Sequence, residues 1–260
     1  MNPARPHAVA VPLETMIEVR DLSRSFNGFQ AVRGVSFAVP SGSITAMIGP
    51  NGAGKTTMFN LLTGLLRPDR GMVIFKGRDV TQLPPHRRCR SGMGRSFQRT
   101  NIFSHLTVSQ NIQAAIIAHR GKGWELWRPS SGMYAAETED LLRSVGLLDR
   151  AREQARYLSH GDQKQLELGI ALALDPDILL LDEPTAGMSI TETQKSIALI
   201  ERLARERNLT LLFTEHDMDV VFSIADRIIV LHHGSVLADG KPADVKQDPE
   251  VRRVYLGASH

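Results

Sequence analysis

Short apolar runs of strand length alternate along this chain with longer stretches of helical spacing, which predicts an α/β fold: a mostly parallel sheet with helices packed on it. Unbroken apolar runs at residues 44–48, 178–181, 211–213 and 228–231 read as strands, and the run at 178–181 has the pattern of burial on both faces. Nearer the N-terminus, residues 17–19 and 32–39 read as strands of a smaller antiparallel layer, joined by the turn-rich pair Asn27-Gly28. A further strand at 72–75 follows the turn signal Pro68-Asp69-Arg70-Gly71. From 101 to 156 the spacing becomes helical, as in Val108, Ile112, Ala115 and Ile116, with a loop containing Gly, Ser and Trp at 121–132. This segment reads as an inserted helical subdomain, and residues 241–260 as a peripheral appendage. Residues 1–14, with Pro3, Pro6 and Pro12, read as a flexible tail.

Composition narrows the class without choosing a function. The chain has 260 residues, 42% of them hydrophobic and 23% charged, which is the balance of an ordinary globular protein with a substantial core. A net charge of +3 is too small to argue nucleic-acid binding alone. The single cysteine, Cys89, excludes an intrachain disulfide framework, fits a reducing compartment and leaves no Cys and His spacing of a zinc site. The apolar runs fall far short of the roughly 20 residues that span a bilayer, so a membrane role is expected to come through a partner.

The chemistry enters at Gly49, Pro50, Asn51, Gly52, Ala53, Gly54, Lys55 and Thr56, which fit G-x-x-x-x-G-K-[ST] between the strand at 44–48 and the helical pattern Met58, Phe59, Leu61, Leu62. Glycines there let backbone N–H groups wrap a β-phosphate, and the helix N-terminus adds its positive dipole end. Lys55 is expected to reach the β- and γ-phosphates, with Thr57 beside the loop, and Thr56 to ligate Mg²⁺. Directly after the buried strand at 178–181 come Asp182 and Glu183, adjacent carboxylates expected to point to opposite sides while strand geometry persists. Alone, Asp-Glu-Pro after a strand is a solvated turn. Beside a phosphate loop, Asp182 suits Mg²⁺, usually through its water, and Glu183 suits orienting or deprotonating the attacking water. At Ser159, an acidic Asp162 three positions on and the apolar period Leu166, Ile170, Leu174 form a capping-box pattern for a helix start.

With these parts in this order the chain resembles the ABC (ATP-binding cassette) family over nearly its whole length. The family's signature Leu-Ser-Gly-Gly-Gln stands where this chain has Leu158-Ser159-His160-Gly161-Asp162, ahead of the Asp-Glu-Pro segment. The resemblance implies a P-loop NTPase core with a mostly parallel sheet, an N-terminal antiparallel β layer and an inserted helical subdomain. In these terms residues 15–260 form one ABC ATPase domain, with 15–100 and 157–240 as the nucleotide-binding core, 101–156 as the helical subdomain and 241–260 as the C-terminal appendage. Carried over residue by residue, it implies that Phe26 stacks on adenine, that Gln98 senses Mg²⁺ and the γ-phosphate, and that His216 contacts that phosphate. It further implies that Ser159 and Gly161 grip the ATP of a partner subunit in a head-to-tail dimer. Two departures stand out: His160 and Asp162 replace a Gly and the Gln of the signature, and the D-loop reads Ala186-Gly187-Met188-Ser189, without the family's aspartate.

Within the family the chain is most similar to the LivG-like ATPases of branched-chain amino acid importers. The residues that carry this are Leu83-Pro84-Pro85-His86-Arg87, Gly94-Arg95-Ser96-Phe97-Gln98, the signature, Ala186-Gly187-Met188 and the ending Val251-Arg252-Arg253-Val254-Tyr255-Leu256-Gly257. The resemblance implies a second ABC ATPase subunit (a homodimer or heterodimer), two integral membrane permease subunits and an extracytoplasmic solute-binding protein, with the chain peripheral on the cytoplasmic face of the membrane. Urea or short amides are the alternative cargo. The competing class is a soluble ABC ATPase acting on nucleic acid or ribosomes, favoured by the basic cluster Arg87, Arg88, Arg90, Arg95 and Arg99. Against it stand the modest charge and the lack of coiled-coil insertions or a second cassette. A small-molecule kinase leaves the segment 158–163 without a use.

Overall fold

The computed structural model describes residues 14–96, 102–120 and 134–256. A six-stranded sheet is built from β3 (Ile44–Ile48), β6 (Met93–Ser96), β7 (Ile178–Asp182), β8 (Thr210–Thr214), β9 (Arg227–His232) and β10 (Ser235–Gly240), in the order β10-β9-β3-β8-β7-β6. All of its neighbours pair in parallel except β9 and β10. A second, antiparallel sheet has the order β2-β1-β4-β5, from β1 (Thr15–Phe26), β2 (Phe29–Pro40), β4 (Arg70–Phe75) and β5 (Arg78–Asp79). Asn27 and Gly28 both have positive φ, the requirement of the tight hairpin turn that joins β1 to β2.

The central strands are apolar throughout because each face meets a different layer, and their alternate residues separate accordingly. Ile44, Ala46 and Ile48 join the cluster formed with α3 (Val108–Arg120), α4 (Ala135–Ser144), α5 (His160–Leu172) and α6 (Ile190–Glu206). Met47, Ile178, Leu180, Leu212 and Ile229 turn the other way, toward the antiparallel sheet and α1 (Lys55–Thr63). Strand period two thus divides one sheet between two cores.

Among the elements that the apolar pattern did not predict are α2 (Pro85–Arg90), β6 and β10, each polar or short. The appendage expected at 241–260 is more than peripheral. Val245, on the helix Pro242–Gln247, and Val251 are buried in the main core. Nor do the four described arginines of the basic cluster share one exposed surface. Arg87 and Arg90 are exposed, but Arg88 is 1% exposed and donates to the carbonyls of Leu83, Leu61, Leu62 and Thr81, closing the C-terminal end of α1. Burial pulls its pKa down to about 10. Arg95 lies under Asp182 with its side chain 9% exposed, and Arg99 is outside the described residues.

Candidate active site

The phosphate loop leaves the C-terminal end of β3, where a strand edge meets α1. Gly54 caps α1 in a left-handed conformation with φ +105 and without a side-chain hydrogen bond, and the first turn holds no acidic residue. The helix N-terminus is therefore free to face an anion. A Cβ at Gly49 would lie 2.2 Å from the Leu231 carbonyl oxygen, and one at Gly54 2.6 Å from that of Ala31, so only glycine fits at either position. Lys55 is buried and donates through Nζ to the Gly49 oxygen at 2.6 Å and the Pro50 oxygen at 3.2 Å. Burial lowers its pKa, opposed by the charges of Glu183 and Asp182. Thr56 and Thr57 follow on the first turn, with Thr56 exposed.

Asp182 ends β7 opposite Thr214, the last residue of β8. Its Oδ1 accepts from the Thr214 hydroxyl at 2.8 Å, while its Oδ2 is buried with no hydrogen-bond donor, 3.6 Å from the Arg95 guanidinium. Burial raises the Asp182 pKa, and Thr214 and Arg95 pull it back. A buried carboxylate oxygen lacking a donor beside a phosphate loop fits a divalent cation or its bound water.

The strand geometry that the sequence led us to expect through Glu183 stops at Asp182, the last residue of β7. Glu183 has φ +51, because its N–H turns back to Thr214, bonding the carbonyl at 3.2 Å and Oγ1 at 3.0 Å. A non-glycine residue there costs about 1–3 kcal/mol and clusters at functional sites. The turn carries Glu183 Oε1 to 2.7 Å from His216 Nε2. His216 follows β8 and is exposed enough, as is Glu183, for a water to reach the pair.

Phe26 ends β1 with its ring partly exposed, and the Arg24 guanidinium lies 5.0 Å from the ring centroid, held by Asp69. Gln98 is outside the described residues. Ser159 caps α5 and is exposed. Its hydroxyl accepts from the Asp162 N–H at 3.2 Å and donates to the Asp162 carboxylate at 2.8 Å. The pattern is half a capping box: aspartate, one methylene shorter than glutamate, binds the hydroxyl and not the Ser159 N–H. Arg150 stands 3.5 Å from the same carboxylate. The complete capping box is at Ser189, whose hydroxyl and N–H are matched by Glu192 at the start of α6, where the family's D-loop aspartate is missing.

The structure thus brings the phosphate loop, Asp182, Glu183 and His216 to one edge of the parallel sheet, at the C-terminal ends of β3, β7 and β8. No described hydrogen bond joins Ser159 or Gly161 to that group. Sequence reasoning missed Arg95 as a partner of Asp182, and missed Thr214 and Glu215. Pairing β8 with β7 sets Thr214 opposite Asp182, with Glu215 next in the chain, whereas bringing Arg95 to Asp182 needs β6, whose residues Met93–Ser96 lack an apolar run.

A family profile described as ABC transporter matches residues 32–186, and one described as branched-chain amino acid ATP-binding cassette transporter matches residues 235–260. The high-affinity branched-chain amino acid transport ATP-binding protein BraF of Pseudomonas aeruginosa is 38% identical over 249 residues, covering 93% of this chain and 98% of its own. LivG of Escherichia coli, of the same description, is 38% identical over 251 residues, covering 94% and 98%. Among solved structures, the ADP conformation of MJ1267, an ATP-binding cassette of an ABC transporter, superposes with a TM-score of 0.82 at 28% identity, covering 94% of this chain and 99% of that one. The dimeric cassette MJ0796 gives 0.73 at 25% identity, covering 87% and 98%. With a phosphate loop and an Asp-Glu pair on one sheet edge, and relatives matching almost end to end, the chain belongs to the ABC transporter family as one of its ATP-hydrolysing cassettes.

Proposed function

We propose that this chain hydrolyses ATP to drive uptake of branched-chain or related amino acids through partner membrane subunits. The observation that carries the chemistry is the Glu183–His216 pair at 2.7 Å, on the same sheet edge as Lys55 and the donor-free Oδ2 of Asp182. Glu183 orients the attacking water and takes its proton at a carboxylate oxygen, while His216 holds the carboxylate in place and meets the γ-phosphate. Lys55 exchanges its bonds to the loop carbonyls for the β- and γ-phosphates, and Gly49 to Thr57 supply backbone donors and hydroxyls. Thr56, Asp182 and Gln98 would hold Mg²⁺, which supplies charge neutralisation on the phosphates. Phe26 stacks on adenine, backed by Arg24.

Ser159 and Gly161 act on the nucleotide of a second ATPase subunit, a reading supported by the exposure of Ser159 and by the lack of any described hydrogen bond from the α5 start to the chain's own phosphate loop. The cargo assignment is supported by the transport names of the relatives at 38% identity and by the match over residues 235–260. No helix of the described residues is long and apolar enough to cross a membrane. On the transport reading the bilayer is reached through companion permeases, with the chain peripheral at the cytoplasmic face. A pocket of about 230 Å³ lined by Leu65, Pro85, Cys89, Met93 and Leu174 has room for one or two apolar side chains of a docking permease segment. An extracytoplasmic binding protein delivers the cargo.

Reconstitution of the chain with its permease subunits and second cassette, in vesicles loaded with Mg²⁺ and ATP and with the solute-binding protein added outside, tests this reading. Uptake of labelled leucine that stops with Glu183→Gln is the expected result. Uptake of urea alone would move the cargo to the amides, and salt-sensitive RNA or DNA binding without recovery of any permease would replace transport altogether.

A further inference from the structure

Behind the carboxylate and imidazole lies a buried acid to which the chemistry above gives no role. Glu215 is 4% exposed and immediately precedes His216. Its Oε1 accepts from the Thr185 N–H at 3.0 Å and the Thr185 hydroxyl at 2.6 Å, and its Oε2 accepts from the His216 N–H at 3.2 Å. A buried carboxylate is costly without hydrogen bonds, and here three donors converge on its two oxygens. The donors come from the two loops that carry Glu183 and His216. One residue earlier, Thr214 bonds the N–H of Glu183. Residues 214 and 215 thus grip residues 183 and 185, on either side of Pro184, and the left-handed Glu183 is bracketed by its neighbours in space. Covalent geometry does not impose that conformation, and the bracketing supplies what does.

We propose that Glu215 is a positioning residue for ATP hydrolysis: it locks the Asp-Glu-Pro turn to the histidine loop and so sets the separation of Glu183 from His216. The proposal rests on the catalytic roles assigned to those two residues. Glu215→Gln keeps the size of the side chain but turns one acceptor into an NH₂ group, which must face either the Thr185 donors or the His216 N–H.

In the full chain with Mg²⁺ and ATP, Glu215→Gln should lower kcat by roughly 10- to 100-fold, the scale of a misplacement near 1 Å. KM for ATP and the affinity for a non-hydrolysable analogue should stay within about twofold, the signature of an interaction that matters in the transition state alone. Thr185→Val, lacking the hydroxyl, should lose kcat several-fold, and Thr185→Ser should recover it. Turnover of Glu215→Gln near that of the parent overturns the proposal, as does an equal loss of kcat and analogue affinity. Should Glu215→Gln not fold, the Thr185 pair decides, and equal turnover in the two variants is the negative outcome. Glu183→Gln is measured alongside. If it hydrolyses ATP normally, the underlying catalytic reading fails; if it is inactive while Glu215→Gln is normal, the positioning role alone fails.

Discussion

The phosphate loop and the Asp-Glu-Pro turn face the same problem, a sharp bend at the C-terminal end of a buried parallel strand, and meet it with opposite residues. After β3 the positive φ angles fall on Gly49, Gly52 and Gly54, two of which approach neighbouring backbone too closely for any side chain. After β7 the positive φ falls on Glu183, whose side chain is the working part. Where the backbone is the reagent, glycine takes the conformation without strain. Where the side chain is the reagent, the strain is kept and the adjacent strand end holds it, through Thr214 and Glu215.

Substitutions can test that contrast. The largest effect is expected for Glu183→Gln, with turnover lowered roughly 10²- to 10⁴-fold and ATP binding retained, as read by steady-state hydrolysis and equilibrium binding. Lys55→Ala should act on the other region in the other quantity, weakening nucleotide affinity roughly 10- to 100-fold, as befits lost hydrogen bonds from a charged donor. Unaltered affinity would remove the loop from phosphate binding. Next comes the backbone itself: Gly49→Ala should lower unfolding stability by about 1–3 kcal/mol, since its Cβ meets the Leu231 carbonyl. Gly52→Ala, with open space around it, should cost only about 1 kcal/mol. The smallest effect sharpens the comparison most. At 183, glycine should be more stable than alanine by about 1 kcal/mol in denaturant unfolding, although both variants lose hydrolysis. Equal stability would mean that the turn carries no strain.

How far the sequence revealed the molecule follows from which features leave a local trace. The central strands were legible because burial on two faces demands continuous apolar runs, and the phosphate loop because close backbone approach demands glycine. β6 and α2 were not, since their residues are chosen for contacts far away in the chain: Arg95 meets Asp182, and Arg88 closes the end of α1. Reading five arginines as one basic surface failed for the same reason, as a charge run does not say which members are buried. The left-handed Glu183 had no signal of its own, because its conformation is imposed by hydrogen bonds to Thr214, 31 positions away. Val245 and Val251 resembled an appendage because two apolar residues in a polar stretch form no periodic pattern.

Lys55 illustrates what a self-contained loop offers an incoming ligand. Its ammonium group bonds the Gly49 and Pro50 carbonyls, so the chain's own atoms tie the curl of the backbone together. Docking then swaps one set of oxygen acceptors for another, without first collapsing a floppy segment. The ordering entropy that a loose loop would forfeit on association was settled when the chain folded.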